Sequence, residues 1–222
     1  MGILTRAILI FLFLSSLAYA FNGPALLAHL GGGDQQKGAE HLSDLVKKGN
    51  STAMVVLANV INEIGIKEKD VEMIAQSYLL IEKAANLGNS KAMKDLALLY
   101  YDGRFGGVDY KNAAKWFEKA ATLGNVNSMV YLGMMHKLGN GVPKDLSKSL
   151  MWYEIADYAY ENSKTTNKSE GDVTPANFSA EMIKKEQISG KQIEDGVDMA
   201  KSWIKSNLDL THRDPSLPRL GQ

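Results

Sequence analysis

The chain has 222 residues, with 25 basic and 25 acidic side chains, a formal charge of zero and no cysteine. That balance offers no basic patch of the kind nucleic acid requires. The missing thiols exclude disulfides, cysteine-ligated zinc or iron–sulfur centres, and thiol catalysis.

Residues 1–20 read as a secretory signal peptide, with Arg6 ahead of an apolar run from Ala7 to Leu17 and an Ala18-Tyr19-Ala20 ending. The run is about 11 residues, well short of the roughly 20 that a membrane-spanning helix needs. Cleavage after Ala20 is therefore expected, leaving Phe21 first, no later membrane span, and a periplasmic or secreted location. Residues 21–35 read as a flexible leader. Its Gly31-Gly32-Gly33 has neither a preceding strand nor a lysine-serine ending, so it is not a phosphate cradle.

From residue 36 the chain is periodic. A single capping helix is expected over 36–48. Gly49-Asn50 then opens a first unit in which Ala53-Met54, Leu57-Ala58 and Ile61 lie on one helical face. Ile81-Glu82-Lys83-Ala84-Ala85-Asn86-Leu87-Gly88-Asn89 returns 36 residues later as Phe117-Glu118-Lys119-Ala120-Ala121-Thr122-Leu123-Gly124-Asn125, and Tyr153-Glu154-Ile155-Ala156 continues the series. After each Gly-Asn the frame repeats: Ala92-Met93, Leu96-Ala97 and Tyr100, then Ser128-Met129, Leu132-Gly133 and His136. The first unit fits at a shift of 39, and its three extra residues are expected in a loop around Ile64 to Lys69.

Within a unit, Ala92, Leu96, Ala97 and Tyr100 mark one helical face, and Ala113, Trp116, Phe117 and Ala120 mark another. Gly88 and Gly124 are placed for left-handed helix ends, and Asn89 and Asn125 for the caps of the helices that follow. The segments 102–109 and 139–145 are glycine-rich turns, each closed by an aspartate able to cap a second helix. One helix pair cannot bury its apolar face alone, so the fold expected over 36–160 is a stack in which neighbours complete one another's core.

The frame A-x-x-x-L-[GA]-x-x-[YH], a G-x-G-V-type turn, D-[YL]-x-[KS]-[AS]-x-x-W-[FY]-E-x-A and a following L-G-N resembles the Sel1-like repeat, a relative of the tetratricopeptide repeat. Its carriers are Ala92, Leu96, Ala97, Tyr100, Gly107, Val108, Asp109, Ala113, Trp116, Phe117, Ala120, Ala121 and Gly124. In the next unit they are Leu132, Gly133, Gly141, Val142, Asp145, Trp152, Tyr153 and Ala156. The first unit departs from the pattern, since Glu63-Ile64-Gly65-Ile66-Lys67 lacks the turn. The resemblance implies an all-α, right-handed α-solenoid of antiparallel helix pairs with a concave groove, acting as an adaptor or scaffold and rarely carrying catalytic residues of its own.

Beyond the repeats, residues 161–175 are polar and aperiodic and read as a loop. Capping helices are expected within 176–206, one from Pro175 to about Ile188 and one from Lys191 to about Ser206. The second places Ile193, Val197, Ala200, Trp203 and Ile204 on one face. Residues 207–222, with Pro215 and Pro218, read as a disordered tail.

No catalytic pattern stands out. His29, His41, His136 and His212 form no metal-ligand spacing, and there is no G-x-S-x-G elbow or P-loop. No cofactor is expected. His136 occupies the position of Tyr100 and reads as an aromatic-sized packing residue. Glu82, Glu118 and Glu154 recur at the repeat period and read as helix-surface groups. The family geometry instead points to the first helix of each unit, whose ligand-facing residues would be Thr52, Val55, Asn59 and Asn62, then Lys91, Lys94, Leu98 and Tyr101, then Asn127, Val130, Met134 and Lys137. Leu98, Tyr101 and Met134 would supply contact area. Lys91, Lys94 and Lys137 would meet an acidic segment. The partner is thus expected to be a polypeptide, either an envelope protein held by an adaptor or a lipase-type toxin neutralised by an immunity protein. A wall- or lipid-hydrolysing enzyme is the third reading. The residues set no oligomeric state.

Overall fold

Asparagine caps and left-handed glycines divide the chain into helices in the computed structural model, which describes residues 35–162 and 178–207. The expected signal peptide, most of the leader, the polar loop from residue 163 onward and the tail from residue 208 lie outside the described residues. Among the described residues there are nine α-helices and no strand. The described residues fall into two compact units, divided between Ala92 and Met93.

The first unit holds α1 (Gln35–Lys47), α2 (Ser51–Glu68) and α3 (Val71–Asn86). Leu42 of α1 packs with Ala53, Val60 and Ile64 of α2, with Met73 of α3 against the same cluster. The α2–α3 turn differs from the expected loop around Ile64 to Lys69. Instead α2 runs on to Glu68, Lys69 alone takes a left-handed conformation (φ 56°), and Asp70 caps α3. The three additional residues therefore lengthen a helix. The reason is packing: Ile64 is buried, and Gly65 lies so close to Ile74 and Met73 that a Cβ there would collide. The apolar contact rewards a continued helix where no glycine-rich turn interrupts it.

Helix α4 (Ser90–Tyr101) begins in the first unit and runs into the second. The second unit continues with α5 (Tyr110–Thr122), α6 (Val126–Leu138), α7 (Leu146–Asn162), α8 (Phe178–Glu186) and α9 (Gly190–Asn207). Its core alternates small and large side chains: Ala97, Ala113, Phe117, Ala121, Leu132, Met135, Ile155 and Ala156 are all fully buried. Burying a side chain such as Phe117 contributes about 1.5–3 kcal/mol, and the alanines let helices approach closely enough for such side chains to interlock.

The repeat is visible in the backbone hydrogen bonds. Gly88 donates to the Ala85 carbonyl at 3.0 Å and Asn89 to Ala84 at 3.2 Å; 36 residues on, Gly124 donates to Ala121 at 2.9 Å and Asn125 to Ala120 at 3.0 Å. Gly49 and Asn50 make the same pair to Val46 and Leu45. All three glycines have φ between 83° and 89°, so each helix closes in a Schellman motif. The asparagine that follows reverses role and caps the next helix: Asn50, Asn89 and Asn125 accept from the amides of Ala53, Ala92 and Ser128 at 2.9, 3.0 and 3.0 Å. Likewise Asp109 and Asp145 donate their amides to the carbonyls of Tyr100 and His136, both at 2.9 Å. Their carboxylates cap α5 and α7 through the amides of Asn112 and Lys148 at 3.0 Å.

The final helices differ in bounds from expectation. α8 ends at Glu186, before Ile188, because Gln187 turns left-handed at φ 49°. α9 starts one residue early and ends one residue late. Its Ala200, Trp203 and Ile204 join the main core, and Ile193 packs with a second cluster of Leu150, Tyr153 and Ile188.

Candidate interaction surface

The first helix of each repeat carries the residues assigned to partner binding, and packing sorts them unevenly. In the first unit Thr52 is exposed at the start of α2, and Asn59 and Asn62 are half-buried. Asn62 Oδ1 lies 3.4 Å from Ser77 Oγ, which donates to the Ile74 carbonyl at 2.6 Å. Val55 contradicts its assignment. It is 3 % exposed and belongs to the interior, because α2 is apolar over a wider arc than a one-sided repeat helix. Lys91 is exposed at the start of α4.

In the second unit the residues expected to face outward are largely drawn into packing. Leu98 and Val130 are half-buried against the core. Tyr101 sits edge-on to Tyr110, Tyr131 and Phe117, at centroid distances of 5.0, 5.8 and 6.5 Å. It is an internal aromatic strut between α4, α5 and α6 and not a free anchor. The lysines are paired: Lys94 Nζ lies 2.7 Å from Asp95, and Lys137 Nζ lies 2.7 Å from Glu186 of α8. Asn127 and Met134 are half-buried. Sequence reasoning missed Tyr131, which is half-buried and stacks parallel on Phe117 at 4.8 Å. The preceding unit has Asp95 at that position, so the repeat gave no signal for it.

The titratable groups whose ionisation shifts do structural work. His136 is 7 % exposed, with Nδ1 3.3 Å from the Pro143 carbonyl. Burial holds its imidazole below the ordinary value against the opposing pull of that carbonyl. Burial pushes the Tyr153 phenol up to about 12. It also raises the Asp157 carboxyl, whose Oδ2 accepts from Ser179 Oγ at 2.9 Å. Among the described residues no cluster of three histidine or carboxylate side chains is placed to hold a metal. Glu118 is exposed on the outer side of α5, beside a shallow open depression of about 520 Å³ around Trp116, where Lys119 Nζ stands 3.9 Å above the indole. No described helix is long and apolar enough to cross a membrane.

Comparison with known proteins accounts for the repeating geometry. The Sel1 repeat family model matches residues 52–89, 90–125 and 126–156, which correspond to the helix pairs α2–α3, α4–α5 and α6–α7. No curated protein matches the chain. Among solved structures, a protective antigen of uropathogenic Escherichia coli strains, described as displaying an SLR fold, is similar with a TM-score of 0.62 and 18% identity over 89% of this chain. This chain spans 41% of that antigen's length. A Sel1 repeat protein from Oxalobacter formigenes matches 57% of this chain and 91% of its own, with 25% identity and a TM-score of 0.49. The first likeness and the helix pairing establish an all-α helical-repeat fold of the solenoid class. Sel1 repeats generally mediate protein–protein interaction and are typically non-catalytic. With three such matches in succession, residues 52–156 form an array of Sel1 repeats.

Proposed function

We propose that this chain is an exported adaptor that holds a polypeptide partner on the first helices of its repeats, in the bacterial periplasm. The observation that carries the reading is the run of three Sel1 repeats, a module that presents helix faces for other proteins. Thr52, Asn59, Lys91, Asn127 and Met134 keep accessible surface on those helices. The export half of the proposal is supported by the Arg6, apolar-run and Ala18-Tyr19-Ala20 pattern. Val55 has no part in it.

Affinity capture from periplasmic extract with the chain beginning at Phe21 tests the reading. A specific protein, bound more weakly in added salt and lost with the double change Lys94→Glu and Lys137→Glu at unchanged helicity, is the expected result. A captured envelope component marks a scaffold role, and a captured secreted lipase-type toxin marks an immunity role. Capture of nothing specific at high bait concentration refutes the proposal. Mass spectrometry of the exported chain is expected to find Phe21 at its N-terminus.

A further inference from the structure

The last repeat already carries an occupant. Glu186 of α8 pairs with Lys137 of α6 at 2.7 Å, each side chain 31% exposed. Ile183 of α8 and Ile188 just beyond it pack with Leu150 and Tyr153 of α7, against the same cluster as Val130 of α6. At the other end of the helix Ser179 Oγ donates to Asp157 Oδ2 at 2.9 Å, while Asp157 Oδ1 is buried without a hydrogen-bond partner. Helix α8 therefore engages Lys137, one of the residues assigned to partner binding, and shares an apolar cluster with Val130, another. Its Ser179 contact leaves Asp157 Oδ1 unsatisfied, which disfavours the docked state.

Helix α9 is held by different means. Ala200 is buried in the main core, and Trp203 sits edge-on to Trp152 at 5.3 Å. Gly196 lies so close to the Ser147 carbonyl and Leu150 that no Cβ fits. The helix also has its own start. Gln192 donates its amide to Ser189 Oγ at 3.3 Å and accepts from the Ser189 amide at 3.1 Å, a reciprocal capping box. Between the two helices stands Gln187 at φ 49°, a left-handed conformation that is unfavourable for a non-glycine residue. Release of α8 would relax that residue and leave α9 capped and anchored.

We propose that α8 is a self-ligand of the last repeat, displaced when a partner's amphipathic helix presents an aliphatic side chain followed three residues later by a carboxylate, as Ile183 and Glu186 do. The chain's own segment shows what this edge accepts: apolar contact beside Val130 and Tyr153, and an anion on Lys137. This is the helix-in-groove mode of recognition. The proposal rests on the adaptor reading only in assigning the displacing helix to another protein.

Hydrogen exchange on the full chain gives the first test, with α8 amides expected to exchange at least tenfold faster than those of α9. The second uses a fluorescently labelled peptide of residues 178–190. It is expected to bind the Ile183→Asp/Glu186→Lys variant at least tenfold more tightly than the unaltered chain, whose own α8 competes. Adding Lys137→Glu to that variant abolishes binding, and a peptide carrying Glu186→Lys restores it. Exchange of α8 and α9 together, equal peptide binding to both proteins, or loss of helical signal in the variant would show α8 to be an integral cap and overturn the proposal. Peptide binding without a periplasmic partner would sink the adaptor reading alone. A captured partner whose affinity ignores the α8 substitutions would sink this surface alone.

Discussion

Gly133→Ala isolates the contact on which the α6–α7 pairing depends. A Cβ built at Gly133 would stand 2.7, 2.8 and 2.9 Å from Cε1, Cδ1 and Cζ of Tyr153. Carbon atoms prefer about 3.5–4.0 Å, so the ring must retreat by well over half an ångström. Tyr153 is 7 % exposed and pinned between Leu150 and Ile188, which leaves it little room. Overpacking of this kind costs about 1–3 kcal/mol, whereas alanine in place of glycine within a helix returns about 0.5–1 kcal/mol. The net expectation is a loss of about 0–2.5 kcal/mol, read as a lower urea midpoint by far-UV circular dichroism. In a Tyr153→Leu background the ring is gone and only the helix-propensity gain remains, so the same substitution becomes stabilising by about 0.5–1 kcal/mol. A coupling near zero in this double-mutant cycle, or a stabilising Gly133→Ala in the unaltered chain, would refute the close-approach reasoning.

Two turn glycines are expected to respond differently to alanine. Gly88 (φ 89°) has open space around its missing Cβ, so only backbone strain of about 1–2 kcal/mol opposes the change. Gly141 (φ 70°) abuts the Tyr110 carbonyl and the Lys111 amide nitrogen, so its alanine variant should lose clearly more; equal losses in chemical denaturation would contradict that contact. His136 sets an acid dependence. Its imidazole is held below the ordinary value by burial, so the unfolded chain takes up the proton first. This contribution is full above about pH 6.5 and falls as pH drops from there toward the folded value. His136→Gln is expected to flatten the stability profile across pH 5–7, and an unchanged slope in pH-resolved melts would count against a buried neutral histidine.

Much of the local architecture was legible because it is written in short-range chemistry. Leu-Gly-Asn places a residue tolerant of positive φ beside one whose side chain reaches an amide three residues on, so Gly88-Asn89 and Gly124-Asn125 announce a helix end and a helix start together. The 36-residue offset carries the turns with it, down to the equal Asp109–Tyr100 and Asp145–His136 hydrogen bonds. The length of α2 was not legible. Whether a helix stops at a degenerate turn depends on what lies across from Ile64 and Gly65, and only α3 supplies that answer.

The assigned surface shows the same division. Spacing of 3.6 residues per turn told which side chains share a face with Leu96 and Leu132, but not how wide an arc the neighbouring helices cover. Val55 is lost to the interior, and Tyr101 is enlisted as an aromatic strut. The partner of Lys137 comes from Glu186, 49 residues away, a pairing that no local pattern encodes. The sequence by itself determined the repeat, its caps and its all-helical class, because those follow from contacts within a few residues. Tertiary structure decided which face remains accessible and which charges are already matched, because burial and ion pairing depend on elements that meet only in the folded chain.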